Sequence, residues 1–191
     1  MEVKEVLEYE LIVRDKNGKI IYHKSGKSKS YVANYNKLIY AFMGNSVNVT
    51  DTGGTSITVS TADLANNDVK AIEGDDNYGI LFGTGTTAPA PGDYKLESKI
   101  SHGDGDNLLH YYATSCTAPT TEGTTTYFTV ERSAKNNGTV DITINEVGLV
   151  LKVVVGGTPK YVLIARDVLT SPPTLTPGST LTFRYKPQIT T

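Results

Sequence analysis

Residues 131–155 read ERSAKNNGTVDITINEVGLVLKVVV, and the reading of this stretch decides the fold class. Asn136-Asn137-Gly138 is a turn signal between two strand-like runs, because Asn and Gly tolerate the positive φ that tight hairpins demand. It predicts a hairpin joining strands near residues 125–134 and 139–155. Within the second run, Ile142, Ile144 and Val147 do not keep one parity and Gly148 follows, so the period-two alternation is interrupted and a bulge or sharp bend is expected. A strand that turns a corner in this way suits a sandwich of two packed sheets.

Working outward, EVLEYELIVRDKNGKIIYHK predicts an amino-terminal β-hairpin: apolar-alternating runs at 6–14 and 19–23 flank Asp15-Lys16-Asn17-Gly18. Val32, Tyr35, Leu38, Ile39, Phe42 and Met43 then recur at three- and four-residue spacing. They predict one amphipathic helix near residues 30–43, capped by Ser30, ended by Gly44 and covering one face or end of the sheet. Further strands are expected at 56–60, 78–82, 108–114, 160–169 and 180–186. Pro172, Pro173 and Pro177 break the chain before the last of these, and the absence of any repeat of about 20 to 50 residues argues against a solenoid or propeller. The expectation is a mainly β, antiparallel two-sheet β-sandwich, jelly-roll-like, in which residues 1–191 form a single domain. Its hairpin (1–24) is a candidate assembly arm, and the loops at 51–75 and 89–102 are candidate contact regions.

Composition narrows the functional classes. A net charge of −2 offers little to neutralise a run of phosphates, so nucleic acid is not the expected partner. Twelve tyrosines with no tryptophan and only two methionines favour strands. The single Cys116 excludes an intramolecular disulfide and a thiolate zinc site. No segment approaches the roughly 18 apolar residues that span a bilayer, and the acidic start, MEVKEVLEYE, lacks the basic patch of a signal peptide. Synthesis in the cytoplasm without membrane insertion is expected.

Several stretches invite a chemical reading. GTGTTAP (83–89) follows a strand, as a phosphate-binding loop does, but Pro89 and Pro91 remove amide donors and no GK[ST] follows, so it reads as a structural connection. Asp51-Thr52-Gly53 matches the tripeptide of aspartic proteases, yet it lies in a polar run of ordinary turn formers. Asp75 and Asp76 in one acidic loop and Asp104 and Asp106 in another offer oxygen ligands for a structural calcium, the one cofactor contemplated; solvated turns have the same composition. His102 and His110 read as surface or sheet residues, with no nucleophile-elbow context nearby. Tyr94, Tyr111, Tyr112 and Tyr127 read first as core and cross-strand rings and second as a sugar-stacking platform.

Three stretches together resemble structural proteins of tailed phages and related viruses. GILFGTGTTAPAPGDYKLESKISHG (79–103) is similar to a form in which a strand ending in G-T-G leads through a spacer to D-Y-x-L. ERSAKNNGTVDITINEVGLVLKV (131–153) resembles the strand pair R-x-x-x-N-x-x-G-x-x-I-x-I-x-E-V-G-L. YVLIARDVLTSPPTLTPGSTLTFRYK (161–186) is similar to a closing L-x-A-R-D-x-L and P-G-x-x-L-x-x-x-Y. The resemblance implies a β-sandwich virion protein without a catalytic residue: a self-assembling capsid decoration, turret, fibre or tail component, located in the virion, whose partners are other copies of itself and other virion proteins. The alternative is a carbohydrate-binding module for a host-surface glycan, with Tyr94 beside Asp104 or Asp106; an aspartic-protease-like hydrolase comes third. Physically, Glu146 interrupts an apolar strand and Arg166-Asp167 interrupts the next, so Glu146 is expected to pair with Arg166 or Arg132 and fix strand register, the alternative being that each charge faces solvent.

Overall fold

A computed structural model describes residues 4–28 and 30–190; within them the chain is mainly β, in several antiparallel sheets, with one α-helix. Strands β1 (Lys4–Arg14) and β2 (Ile20–Ser28) precede helix α1 (Ala33–Phe42), and β3 (Ser46–Thr50), β4 (Ser56–Ser60) and β5 (Gly79–Gly83) follow it. Next come four short strands, β6 (His110–Tyr111), β7 (Ser115–Cys116), β8 (Thr120–Glu122) and β9 (Thr125–Tyr127). The remainder is β10 (Val130–Lys135), β11 (Ile142–Thr143), β12 (Glu146–Val155), β13 (Thr158–Val168), β14 (Thr174–Leu175) and β15 (Thr180–Thr190).

The main sheet runs β2-β1-β15-β10-β6, with β7 also on β10 and the β8-β9 pair on the far end of β15. The first hairpin closes where Asn17-Gly18 predicts it, with the Asp15 carboxylate accepting the Asn17 and Lys19 amides. It is integral to this sheet: β1 pairs along its whole length with β15, from Lys4↔Thr190 to Arg14↔Thr180. Alternation sends Leu7, Leu11 and Val13 of β1 and Leu181, Phe183 and Tyr185 of β15 inward, where all are buried. On the opposite face Arg184 binds both Glu10 and Glu131, its direct neighbours on β1 and β10, and Glu10 also meets His23 of β2. Slipping any of these strands by one residue would break that row and turn the buried set outward.

A second sheet, β13-β12-β5, contributes Ile80, Phe82, Val147, Leu149 and Ala165 to the same buried cluster as the main sheet. Phe82 meets Phe183 edge-on at 6.5 Å between ring centres and stacks on Tyr111 at 5.8 Å. The β12-β13 ribbon runs on into a second cluster, where Val153 and Val162 pack with Leu38 and Ala41 of α1 and with Val49 and Val59 of the β3-β4 hairpin.

Local expectations from the sequence are corrected at four points. Asn136-Asn137-Gly138 does not join a hairpin, since β10 pairs with β15, β6 and β7, while β11 pairs with β14. The turn chemistry is satisfied locally instead. The buried Asn136 amide donates to the Val140 and Leu175 carbonyls, and its Oδ1 accepts the Gly138 N–H. The run expected as one strand over 139–155 is split into β11 and β12, while the bulge expected around Gly148 does occur, at Leu149/Val150. Of the expected apolar stripe Val32 and Leu38 are buried, but Ile39, Phe42 and Met43 are exposed; Asn34 and Ala41 complete the buried side instead, with the Asn34 side chain docked on the Thr50 backbone. Its cap position is Val32, and the Ser30 hydroxyl goes to Asp167; Phe42 and Met43 are left 72% and 74% exposed. Within the long loop expected at 51–75, the strand foreseen at 56–60 forms as β4, and a 3-10 turn at Asp63–Asn66 is added that was not foreseen.

Because Leu11 sits in the shared core, the hairpin and the rest of the sheet should unfold together. Leu11→Ala is expected to lower unfolding free energy by about 2–5 kcal/mol in a single cooperative denaturant transition. An unchanged main transition would show that the hairpin is dispensable.

Candidate functional site

The chemical centre of the structure is Glu146, the first residue of β12. It is 0% exposed although Val147 to Val150 beyond it are apolar and buried. Its carboxylate accepts four N–H bonds. Oε1 takes Ser98 N–H at 2.7 Å and Gly85 N–H at 3.1 Å; Oε2 takes Glu97 N–H at 3.0 Å and Arg166 Nε–H at 2.8 Å. GTGTTAP therefore contributes one amide, that of Gly85, to an anion site, and the anion is a side chain of the same protein. The two glycines permit the close approach. A Cβ on Gly83 would stand 2.5 Å from Glu146 Oε1 and 2.6 Å from the Ser98 carbonyl; one on Gly85 would stand 2.5 Å from the same Oε1 and 2.6 Å from Glu97 Cβ.

Arg166 balances the charge. On β13 it stands opposite Gly148, two positions from the Glu146 pairing, which makes the pair a diagonal one on a single face of the sheet. Besides Glu146 it donates from Nη1 to Asp93 Oδ2 at 2.8 Å. Burial works against its cation, but the bonds to Glu146 and Asp93 outweigh that and hold its proton more tightly than a free guanidinium does. Glu97 closes the rim: the Thr87 hydroxyl and amide bond its carboxylate at 2.7 and 2.8 Å and keep it below the usual range for a glutamate. The next residue, Asp167, is directed to the shared core, where Ser28, Ser30 and Tyr185 donate to it. Burial, with Asp167 beside it, pushes the Tyr185 hydroxyl well above its ordinary value.

Arg132, the other partner weighed for Glu146, lies elsewhere. It projects from β10 into the core, fully buried, and donates to five backbone carbonyls: Tyr112, Tyr78, Ile80, Ile72 and Asp75. Its guanidinium also stands 4.6 Å from the centre of the Tyr111 ring. Burial weakens its hold on the proton.

The two acidic loops lie near each other, but their carboxylates do not converge on one point. Among the described residues no group of three His, Cys, Asp or Glu side chains is placed to hold a metal ion. Asp75 accepts from Asn77, and Asp76 accepts the His102 N–H and pairs with Lys99. Asp106 caps Thr139, and Asp104 binds Asn137 and His110. His110, eight residues after His102, lies 5.2 Å from it between ring centres. Its Nδ1 meets Asp104 at 3.0 Å and its Nε2 meets Glu73 at 2.8 Å, so the imidazole bridges two acidic loops. The hydrogen bond to Glu73, helped by Asp104 and opposed by burial, raises its pKa above the ordinary 6.5.

The remaining sequence candidates have local roles or different neighbours. Asp51 is a turn cap, its Oδ1 accepting the Gly53 and Thr55 amides. Tyr111 is buried, with its hydroxyl on the Phe82 and Ile100 backbone, and Lys186 sits over the Tyr127 ring. Tyr94 keeps company with Asp93, Lys95, Glu97 and Arg166 rather than with Asp104 or Asp106. Of the four donors to Glu146, sequence reasoning named only Arg166 and missed the amides of Gly85, Glu97 and Ser98; nothing in those residue types announces them. Comparison of the chain with protein-family models, curated proteins and solved structures finds no match.

Two outcomes follow from this geometry. Glu146→Gln turns an amide N–H₂ toward N–H donors and leaves Arg166 with a lost charge partner, so calorimetry should show a loss of about 3–5 kcal/mol. For His110 the folded pKa lies above the unfolded value of 6.5. The stabilisation it contributes is present in full below that value and disappears as pH rises through the folded pKa. The wild-type melting temperature should fall over that interval relative to His110→Gln, and the difference should shrink in high salt.

Proposed function

We propose that this chain is a structural subunit of a virus particle, a jelly-roll-like two-sheet sandwich that acts by associating with copies of itself and with other virion proteins. The observation that carries this reading is the outer face of α1. Ile39, Phe42 and Met43 are neighbours at helical spacing, Tyr40 lies beside them, and all four are exposed while the opposite side of the helix is buried. Apolar residues clustered on one exposed helix end suit burial against another subunit better than they suit water. The resemblance supports the same reading physically: G-T-G, D-Y-x-L, E-V-G-L and A-R-D are the segments that meet around Glu146 and Arg166.

Association through the helix end is favoured over strand addition at the open edge of β2. That strand carries Lys24 and Lys27 and follows Lys19, and lysines along an edge discourage further pairing. In the 89–102 segment, the other expected contact region, Asp93, Glu97 and Ser98 bond Arg166 and Glu146, while residues 89–92 remain exposed.

The test is the double variant Phe42→Ser, Met43→Ser. Sedimentation and electron microscopy of the wild type should reveal oligomers or larger assemblies, and the variant should be monomeric. Its stability should change by no more than about 0.5 kcal/mol, as expected for exposed positions. A monomeric wild type, or assemblies that survive the double change, would defeat the proposal.

A further inference from the structure

A groove of about 240 Å³ lies at the end of α1 opposite Phe42 and Met43. Tyr35 of the helix, Pro119, Tyr127 and Phe128, and Pro187 and Ile189 of β15 line it. Its hydroxyl groups are already engaged: Tyr35 donates to Glu5 at 3.0 Å and Tyr127 to Glu122 at 2.8 Å. What the groove offers to an occupant is therefore rings, two prolines and Ile189, which is 50% exposed. Such a lining suits apolar side chains. Tyr35 also begins the exposed stripe of the helix, since Ile39 is four residues on and Phe42 seven. Groove and apolar helix end thus share one helix face, about 10 Å apart along the axis.

We propose that α1 packs antiparallel against α1 of a second copy, about a two-fold axis near Ile39, so that Phe42 and Met43 of each chain enter the groove of the other. This rests on the reading of the helix end as an association surface and adds what that surface meets. Turning the helix end for end about its middle brings position 42 of one copy beside position 35 of the other, so both apolar ends are covered by one movement. In a parallel pair Phe42 would meet Phe42 and both grooves would stay open to water. Charge favours the antiparallel direction as well. The last turn of α1 carries no basic residue, so its carboxyl end keeps a partial negative charge. Lys186, whose Nζ lies 3.8 Å from the centre of the Tyr127 ring, would face that end across the contact. A two-fold contact uses the same surface on both copies and closes on itself, so it makes pairs rather than chains. Nine residues line the groove and Ile39, Tyr40, Phe42 and Met43 form the helix end, fewer than the ~20–30 a side of a standard interface. The dimer is accordingly weak, with a dissociation constant on the order of 10 μM.

Sedimentation equilibrium of the full chain over a concentration series should fit a monomer–dimer equilibrium that stops at two copies. Ile189→Asp and, separately, Pro119→Arg put a charge into the groove at exposed positions and leave the helix end untouched. Each should weaken the dimer at least about tenfold, as the Phe42→Ser, Met43→Ser change does, while the far-UV circular dichroism stays that of the wild type. In a Cys116→Ser background, which removes the exposed native thiol, mild oxidation should link Ile39→Cys to its own copy. A mixture of Met43→Cys and Ile189→Cys chains should give the mixed disulfide. If the wild type dimerises and both groove variants dimerise as tightly, the helix end remains an association surface and the groove is not its partner, so this proposal falls alone. Species that keep growing beyond two copies, or a dimer that yields neither disulfide, overturn it too. A wild type that stays monomeric at concentrations on the order of 100 μM overturns both readings.

Discussion

A carboxylate shut away from water must be met by donors before the structure around it can close, and Glu146 imposes that requirement at the head of an apolar strand. Its donors come from three separated stretches, at Gly85, at Glu97 and Ser98, and at Arg166, so satisfying one side chain fixes the relative positions of all three. The segment that delivers two of the amides also delivers Leu96 and Ile100 to the core cluster. Gly148 leaves them space: a Cβ there would stand 2.8 Å from Leu96 and 3.0 Å from Leu163. The polar and apolar closure of this face thus arrive on the same piece of chain. The opposite face of the strand is then free to send Val147 and Leu149 into the cluster shared with the main sheet.

The second buried guanidinium meets the same electrostatic problem in another way. Arg166 is neutralised by carboxylates, whereas Arg132 is surrounded by carbonyl dipoles and an aromatic face. Carbonyls supply hydrogen bonds without a full opposite charge, so burial remains the larger influence on Arg132, while ion pairing prevails at Arg166. The two arginines also hold different things. Arg132 ties β10 to the chain entering β5 through the Tyr78 and Ile80 carbonyls, and Arg166 ties β13 to the crossing that contains Asp93. Arg132 thereby bridges the main sheet and the second sheet through hydrogen bonds, alongside the Phe82–Phe183 contact.

What the sequence made legible was whatever a local rule decides alone. The Asn17-Gly18 turn, the strand at 56–60, the strand expected at 78–82 and found at 79–83, and Gly44 at the end of the helix follow from turn geometry, alternation and positive φ. Glu146 was conspicuous because a charge inside an apolar run needs a partner, and Arg166 was one of the two partners named. Where several tertiary outcomes satisfy the same local rule, the sequence was silent. Asn136-Asn137-Gly138 makes a good turn whether or not the flanking strands pair, and the partner of β10 is β15, about fifty residues further along the chain. The helix offered more apolar residues than one face could use. Asn34, a polar residue outside the apolar stripe, decided its orientation by bonding the backbone of β3. Asp75, Asp76, Asp104 and Asp106 are acidic for the sake of amides, a lysine and a histidine that no spacing rule ties to them.

The same accounting explains why a loop with the look of a phosphate cradle is closed to phosphate. An anion site at backbone amides works only while those amides remain unclaimed, and here Gly85, Glu97 and Ser98 are all bonded to Glu146. An incoming phosphate would have to displace a carboxylate that is covalently part of β12 and already paired with Arg166. It would also bring a second negative charge beside Asp93 and Glu97. Tethering gives the internal carboxylate a high effective concentration, so the competition is lost at any ordinary phosphate level. The glycine loop itself supplies only the Gly85 amide to this centre; Glu97, Ser98 and Arg166 complete it and leave the carboxylate closed to any outside anion.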